Sequence, residues 1–112
     1  MANIELPHHR LIAYQVALEL IDAVVSAQIS DSGLRNQALR AAKSACLNIA
    51  EAAGRSSPKD RARVFLIARG EAGEAAAGVE IAVRAREAKA EVLPRVLAIA
   101  DRLVALLTGL AR

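Results

Sequence analysis

The chain has few aromatic residues, and this scarcity narrows its structural class. Tyr14 and Phe65 are its only tyrosine and phenylalanine, and it has no tryptophan. Sheet proteins usually alternate β-branched and aromatic side chains along their strands. Here 54% of the residues are hydrophobic, mainly Ala, Leu, Val and Ile. Alanine and leucine lose little conformational freedom on entering a helix, so the composition predicts an all-α protein.

Cysteine and long apolar runs are also scarce, and both bear on the compartment. Cys46 is the only cysteine, so it cannot form a disulfide within the chain, which fits a reducing cytoplasm. The first ten residues do not resemble a secretion signal. No apolar run approaches the roughly 20 residues that a membrane span needs. We therefore expect a soluble cytoplasmic protein of one domain, with no membrane partner.

Residue types that carry catalysis are sparse. His8 and His9 are the only histidines, and no third metal ligand is near them in the sequence. Cys46 lies among alanine and leucine, which favours a buried structural thiol over a reactive one. Nucleotide-binding loops and nucleophile motifs are missing. We expect no cofactor, no metal and no enzyme activity, although a small helical enzyme using buried Arg, Lys, Glu and Gln stays an open alternative.

Hydrophobic periodicity and turn signals divide the chain into a flexible tail, residues 1–9, and one helical domain, residues 10–112. Asp31 or Ser32 is expected to cap the second helix, and Gly54 to end it. The four predicted helices cover residues 10–28, 34–53, 58–87 and 91–110. Because short turns join them, they predict an up-down-up-down four-helix bundle.

The first predicted helix carries two apolar stripes instead of one. We assign one stripe to the core of the bundle, and it comprises Leu11, Tyr14, Leu18, Ile21, Val25 and Ile29. The other stripe comprises Ile12, Val16, Leu20 and Val24. A helix that is apolar on two sides needs two sets of neighbours. The second stripe therefore predicts an interface with further copies of the chain, which would form a homo-oligomer.

The third predicted helix has a strong start signal and an unusual middle. Ser57 can cap it, Pro58 suits its first position, and the charge of Asp60 suits its positive end. Three glycines, Gly70, Gly73 and Gly78, interrupt its middle. Each costs about 1 kcal/mol relative to alanine in a helix interior. We expect that they permit close packing between helices.

Basic residues are concentrated in the middle of the chain. Residues 35–69 contain eight basic and two acidic residues, so this stretch carries +6 and the remainder −3. Such a surface suits phosphate groups, and the start of the third helix could hold a phosphate oxygen. With so few aromatic rings, backbone contacts should dominate over base stacking. The predicted contact residues are Arg40, Lys43, Arg55, Lys59, Arg61, Arg63 and Arg69.

Several segments resemble the four-helix bundle proteins first noticed as open reading frames in intervening sequences of bacterial 23S ribosomal RNA genes. Residues 44–55, which read Ser-Ala-Cys-Leu-Asn-Ile-Ala-Glu-Ala-Ala-Gly-Arg, carry the most specific match. Residues 11–15, 34–37, 40–42, 57–60, 65–70 and 106–110 extend it. The chain departs from the family pattern at Ala52, where glycine is usual, and at Cys46.

The resemblance implies a left-handed bundle that assembles into rings, commonly pentamers. Relatives include accessory proteins of diversity-generating retroelements, which bind nucleic acid and a reverse transcriptase. At the motif positions we expect structural roles, with Asn48 hydrogen-bonded inside the bundle or at a helix end and Glu51 paired with Arg55. The leading hypothesis is an oligomer that binds RNA or DNA, and the alternative is an adaptor or scaffold for a protein partner.

Overall fold

A computed structural model describes residues 3–112, and its regular secondary structure over that range is entirely helical. Its four α-helices confirm the predicted all-α class. They are α1 (Ile12–Ser26), α2 (Ser32–Ala53), α3 (Pro58–Arg84) and α4 (Leu93–Leu110). Short 3-10 segments, Pro7–Arg10 and Ala90–Val92, precede α1 and α4. No helix in this part of the chain is long and apolar enough to cross a membrane.

The four helices share one core. The most extensive contact joins α2 and α3, and α1 with α2, α3 with α4 and α1 with α4 are also neighbours. In contrast, α1 and α3 make few contacts with each other. Ala38 lies against Gly78 and Arg40 against Glu74, so α2 and α3 run in opposite directions. Because α1 and α3 make few contacts, they lie diagonally across the bundle, and their outward sides lie on different sides of the molecule.

Side chains cap α2 and α3 as the sequence predicts. The Asp31 Oδ2 atom accepts a hydrogen bond from the Leu34 backbone N–H at 2.9 Å, which decides between the two candidate caps of α2. The Ser57 Oγ atom accepts one from the Asp60 N–H at 3.3 Å, and Pro58 occupies the first turn of α3. Each cap satisfies a backbone donor that the helix leaves free.

Two helices end earlier than predicted. The helix α1 stops two residues before the predicted residue 28, and α3 stops three before residue 87. Both stops are followed by a residue in the left-handed region, Gln28 with φ 48° and Arg86 with φ 63°. After α3, the Glu87 N–H donates to the Ala82 carbonyl at 2.7 Å, which is the bond of a Schellman turn. Glycine usually marks this position, and because neither end has one, the residue pattern contains little signal for these stops.

The predicted oligomer interface on α1 is wrong at three of its four residues. Val16, Leu20 and Val24 are at most 3% exposed, because they face the core of their own chain. A second copy cannot reach them there. Only Ile12, which is 59% exposed, lies on the surface.

The predicted core stripe of α1 is correspondingly wrong in part. Leu18 and Val25 are 36% and 56% exposed, whereas Ile29 is buried. The other three members, Leu11, Tyr14 and Ile21, are partly buried against the core. The buried side of α1 includes Ala13, Ala17 and Ala23, whose small side chains let the neighbouring helices approach.

The three glycines of α3 have different surroundings. A Cβ atom on Gly78 would lie 2.8 Å from the Cβ of Ala38, which confirms close helix packing at that position. Gly70 and Gly73 have no atom within 4 Å of the same point. Within the chain, close packing therefore does not explain these two.

The segment predicted as a flexible tail includes one turn that contacts the bundle. In the 3-10 segment Pro7–Arg10, the His8 ring lies 4.6 Å from the Tyr14 ring, measured between centroids. The Nδ1 atom of His9 accepts a hydrogen bond from the Leu6 N–H at 2.9 Å. The segment also contacts α2. Residues 1 and 2 of the predicted tail lie outside the described residues.

Candidate nucleic-acid interface

The turn between α2 and α3 is organised by Asp60. One carboxylate oxygen accepts a hydrogen bond from Arg55 Nη1 at 2.7 Å, and the other accepts one from Arg63 Nη2 at 2.9 Å. Arg55 also donates to Glu51, which confirms the predicted pair. Hydrogen bonds from Arg63 and Arg55 hold the pKa of Asp60 below its ordinary value. Bonds to Glu51 and Asp60 raise the pKa of Arg55, so two predicted phosphate ligands, Arg55 and Arg63, are already paired within the chain.

Arg61 and Arg69 are held by the fold without a compensating carboxylate. Arg61 Nη1 donates to the carbonyls of Arg55 at 3.1 Å and Ser56 at 3.2 Å. Arg69 Nη1 donates to Thr108 Oγ1 at 3.2 Å. Among residues 3–112, neither guanidinium has a carboxylate oxygen within 4 Å. Neutral oxygen atoms therefore hold both guanidinium groups, and no carboxylate of residues 3–112 offsets their charge at close range.

The remaining predicted residues lie on the outward sides of α2 and α3. Arg40 Nη2 lies 3.5 Å from Glu74 Oε2, and the Arg40 side chain is 68% exposed, so this pair contributes little. Lys43 and Lys59 are exposed, and neither forms an ion pair in the described part of the chain. Of the seven predicted residues, these two lysines are the ones that are both exposed and without an ion pair in residues 3–112.

The seven predicted residues do not form one cluster. Arg55, Lys59, Arg61 and Arg63 surround the turn between α2 and α3. Arg40 lies 15 residues before Arg55, which is about 22 Å along a helix. The structure therefore provides a basic end of the bundle, with Arg40 and Lys43 further along the outward side of α2.

Sequence reasoning missed the contribution of the two chain ends. A surface cavity of about 360 Å³ is lined by residues of the N-terminal turn, the end of α2, the start of α3 and the end of α4, namely Pro7, Leu11, Ala53, Arg61, Phe65 and Leu110. Arg10 lies in this N-terminal turn, where its Nε atom is 3.9 Å from Glu5 Oε2, and Arg112 lies two residues after Leu110, so both belong to the same end of the bundle. We define the basic end as Arg10, Arg55, Lys59, Arg61, Arg63 and Arg112. Three acidic residues of the same region, Glu5, Glu51 and Asp60, oppose these six.

The start of α3 is a poorer phosphate site than the sequence predicted. The Ser57 hydroxyl accepts a hydrogen bond from the Asp60 N–H, and the Ser57 carbonyl accepts one from the Arg61 N–H at 2.9 Å. Pro58 has no N–H, which leaves Lys59 as the free donor of the first turn. The Asp60 carboxylate already lies at this end, where it complements the positive helix terminus.

Other motif residues have structural roles. The Asn48 Nδ2 atom donates to the Ser44 carbonyl at 2.8 Å and to the Ser44 hydroxyl at 3.1 Å, so the structural role expected for Asn48 is confirmed. Cys46 is buried, and burial raises the pKa of its thiol to about 11. Over residues 3–112, no three His, Cys, Asp or Glu side chains are grouped as metal ligands would be.

Comparisons with known proteins agree with the fold. A comparison with curated proteins finds no match. The sequence profile of the 23S rRNA-intervening sequence proteins matches residues 9–109, a range that begins in the N-terminal turn and runs almost to the end of α4. With nearly the whole chain matched and a four-helix structure, the chain belongs to the 23S rRNA-intervening sequence protein family.

Proposed function

We propose that the protein is a non-catalytic, cytoplasmic homo-oligomer that binds the phosphate backbone of structured RNA or duplex DNA through its basic end and the basic residues on the outward side of α2. The observation that carries this proposal is the charge at that end. Six basic residues lie at that end beside three acidic ones, and Arg61 is held by two backbone carbonyls with no carboxylate oxygen within 4 Å among residues 3–112. Cations held in this way release counterions from a nucleic acid when they meet its phosphates.

The chemistry of the surface favours backbone contacts over base readout. Phe65 is buried and Tyr14 is partly buried beside the histidine rings, so neither provides a stacking platform. Lysine and arginine contacts to phosphate carry little sequence information. The proposed ligand is therefore a folded RNA or a duplex, recognised by its charge and shape.

Assembly would strengthen such binding because each copy adds its own basic end to one particle. We propose the left-handed up-down-up-down arrangement and the pentameric ring that family membership implies. The neighbour relations of the helices and the short turns between them support the up-down arrangement. The copies would have to join through surfaces other than the buried stripe of α1.

The test is a salt titration of binding with charge-matched variants. Lys43→Glu/Lys59→Glu reverses two exposed lysines that form no ion pair in residues 3–112. Lys89→Glu/Arg95→Glu makes the same change in net charge at exposed positions around the start of α4. Affinity for a structured RNA and for duplex DNA is measured from 50 to 300 mM salt.

We expect wild-type binding to weaken steeply with salt. Removing one lysine–phosphate interaction with duplex DNA should lower the slope of log affinity against log salt by about 0.9. The Lys43/Lys59 variant should show the shallower slope, and the Lys89/Arg95 variant should resemble the wild type. Equal losses of affinity in both variants would indicate only a general charge effect. An absence of wild-type binding at 50 mM salt would exclude the proposal and favour a protein-partner adaptor.

A further inference from the structure

The surface cavity at the basic end combines apolar walls with one guanidinium group. Its volume is about 360 Å³, which lies in the range of about 300–1,000 Å³ that small-molecule sites occupy. Four segments meet around it, because the N-terminal turn, the end of α2, the start of α3 and the end of α4 each contribute to its wall. We name it the end cavity, and its lining residues are Pro7, Leu11, Ala53, Arg61, Phe65 and Leu110.

Five of the six lining residues are apolar. Phe65 is 4% exposed, so its ring belongs to the core and gives the cavity a fixed wall. Leu11 and Ala53 are partly buried, whereas Pro7 and Leu110 are exposed. A ligand that covered these side chains would remove apolar surface from water, which favours binding. The walls therefore select a ligand with an aliphatic or aromatic body.

The sixth lining residue, Arg61, has donors left for a ligand. Its Nη1 atom, which carries two hydrogens, donates to the carbonyls of Arg55 and Ser56. Among residues 3–112, its Nε and Nη2 atoms form no hydrogen bond, and neither of these atoms is sealed from solvent. The Nε–Nη2 side of a guanidinium is a planar fork that can donate to both oxygens of one carboxylate. The two carbonyl bonds hold the group in place and leave this fork open.

The acidic residues of the basic end do not occupy the fork of Arg61. Glu5, Glu51 and Asp60 each lie within 4 Å of a different arginine. No carboxylate oxygen of residues 3–112 lies within 4 Å of Arg61. A carboxylate that entered the cavity would meet this guanidinium beside apolar side chains, where the local dielectric constant is lower than in water. Charge-assisted hydrogen bonds are stronger in such surroundings.

We infer that the end cavity binds a small carboxylic acid with an aliphatic or aromatic body. The carboxylate binds the Nε–Nη2 fork of Arg61, and the body packs against Leu11, Phe65 and Leu110. Both parts of the ligand contribute, because an inorganic anion would gain nothing from the apolar walls and a neutral apolar molecule would gain nothing from the fork. This binding is independent of nucleic-acid binding and of self-association, so it can fail or succeed without deciding either.

Three probes separate the two parts of the ligand. Phenylacetate has an aromatic body and a carboxylate, phenylethanol has the body without the charge, and acetate has the charge without the body. Each is titrated into the full chain without nucleic acid, and the backbone amide shifts in two-dimensional NMR spectra report both affinity and location. We expect phenylacetate to bind with a Kd on the order of 1 mM and to shift amides of the lining residues. Phenylethanol and acetate should each bind about 10-fold more weakly or worse.

Two substitutions with matched controls test the contacts. Arg61→Gln removes the guanidinium, and Arg95→Gln makes the same charge change at an exposed position of α4. Leu110→Asp places a carboxylate at the cavity wall, and Leu97→Asp makes the same change on α4 outside the cavity, the two leucines being 39% and 40% exposed. We expect Arg61→Gln and Leu110→Asp to weaken phenylacetate binding about 10-fold or more, and both controls to bind like the wild type. Circular dichroism checks the fold, and Leu110→Asp still tests the cavity if Arg61→Gln does not fold.

Several results would overturn the assignment of the end cavity. Acetate binding as tightly as phenylacetate would reduce the site to a general attraction of anions by the basic end. Equal binding of phenylethanol would reduce it to an apolar surface in which Arg61 has no part. Equal losses in Leu110→Asp and Leu97→Asp would show an effect of net charge instead of the cavity. An absence of shifts at about ten times the expected Kd of phenylacetate would exclude the site.

Discussion

A Cβ atom on Gly78 would lie 2.8 Å from the Cβ of Ala38, closer than two side-chain carbons can approach. This glycine sets how closely α2 and α3 lie, and these two helices share the most extensive contact in the protein. The relationship divides the glycines of α3 into one that the packing requires and two, Gly70 and Gly73, that it does not. Their substitutions should therefore have opposite effects on stability.

We predict that Gly78→Ala lowers the free energy of unfolding, whereas Gly73→Ala raises it. Overpacking costs about 1–3 kcal/mol and opposes a helix-propensity gain of about 1 kcal/mol, so the net effect at Gly78 should be destabilising. At Gly73 only the gain applies. Urea unfolding at low protein concentration measures both, and a stabilised Gly78→Ala variant would contradict the close contact.

Substituting alanine for Leu20 and, separately, for Leu18 tests which side of α1 faces the core. Leu20 is fully buried, whereas Leu18 is 36% exposed. Leu20→Ala should cost about 2–5 kcal/mol of unfolding free energy, the range for a buried leucine, and Leu18→Ala much less. Thermal or urea unfolding of the two variants decides the matter. Equal losses of stability would mean that both stripes of the helix are buried.

The ion pairs of Asp60 should make stability depend on pH. A carboxyl whose pKa is lowered in the folded state stabilises the protein at any pH above its unfolded-state pKa, and the contribution disappears as the pH falls through the folded-state value. Asp60→Asn should therefore be less stable than the wild type at pH 7, and the difference should shrink below about pH 4. Urea unfolding at several pH values measures it. A difference that persists after Asp60 is protonated would assign the effect to something other than charge.

The same substitution should strengthen nucleic-acid binding. Asp60 holds Arg55 and Arg63 through its two carboxylate oxygens, and its removal frees Arg63 and leaves Arg55 with Glu51 alone. We predict that Asp60→Asn binds duplex DNA more tightly than the wild type at low salt, with a steeper salt dependence. Asp101→Asn, an exposed site on α4, is the control with the same charge change. Unchanged affinity in Asp60→Asn would show that this turn does not meet phosphate.

Cys46 should be unreactive in the folded protein. Its side chain is buried in the core, and its thiol pKa of about 11 keeps it protonated at neutral pH. Thiolate is the reactive form, so a thiol reagent at pH 7.5 should label Cys46 only after unfolding in urea. Rapid labelling of the native protein would mean that the core around α2 opens locally.

The sequence predicted where the helices lie along the chain better than it predicted which of their sides face the core. Caps such as Asp31 and Ser57 use local chemistry that a sequence displays directly. The orientation of α1 cannot be predicted from local chemistry in this way, because both of its sides carry large apolar residues. Counting Ala13 and Ala17 as core residues would have chosen the correct side, since the opposite side borders Gln15, Glu19 and Asp22.

The candidate site was predictable as a charge excess but not as a set of available cations. The pairing of Arg55 and Arg63 with Asp60 depends on the geometry of the turn between α2 and α3. The meeting of the N-terminal turn and the end of α4 near that turn depends on contacts between segments far apart in sequence. Neither can be derived from residue counts within one stretch of the chain.

More than half of the buried apolar residues are alanine, and this affects how the sequence can change over generations. Substitutions that shorten a buried side chain are the usual damaging changes in a protein core. An alanine can be shortened only to glycine, so such substitutions matter less at these positions. Harmful variation should consist mainly of enlargements, to valine, threonine or glutamate. At the buried alanine and glycine positions between α2 and α3, only glycine, alanine and serine should be tolerated, so these positions should diverge slowly.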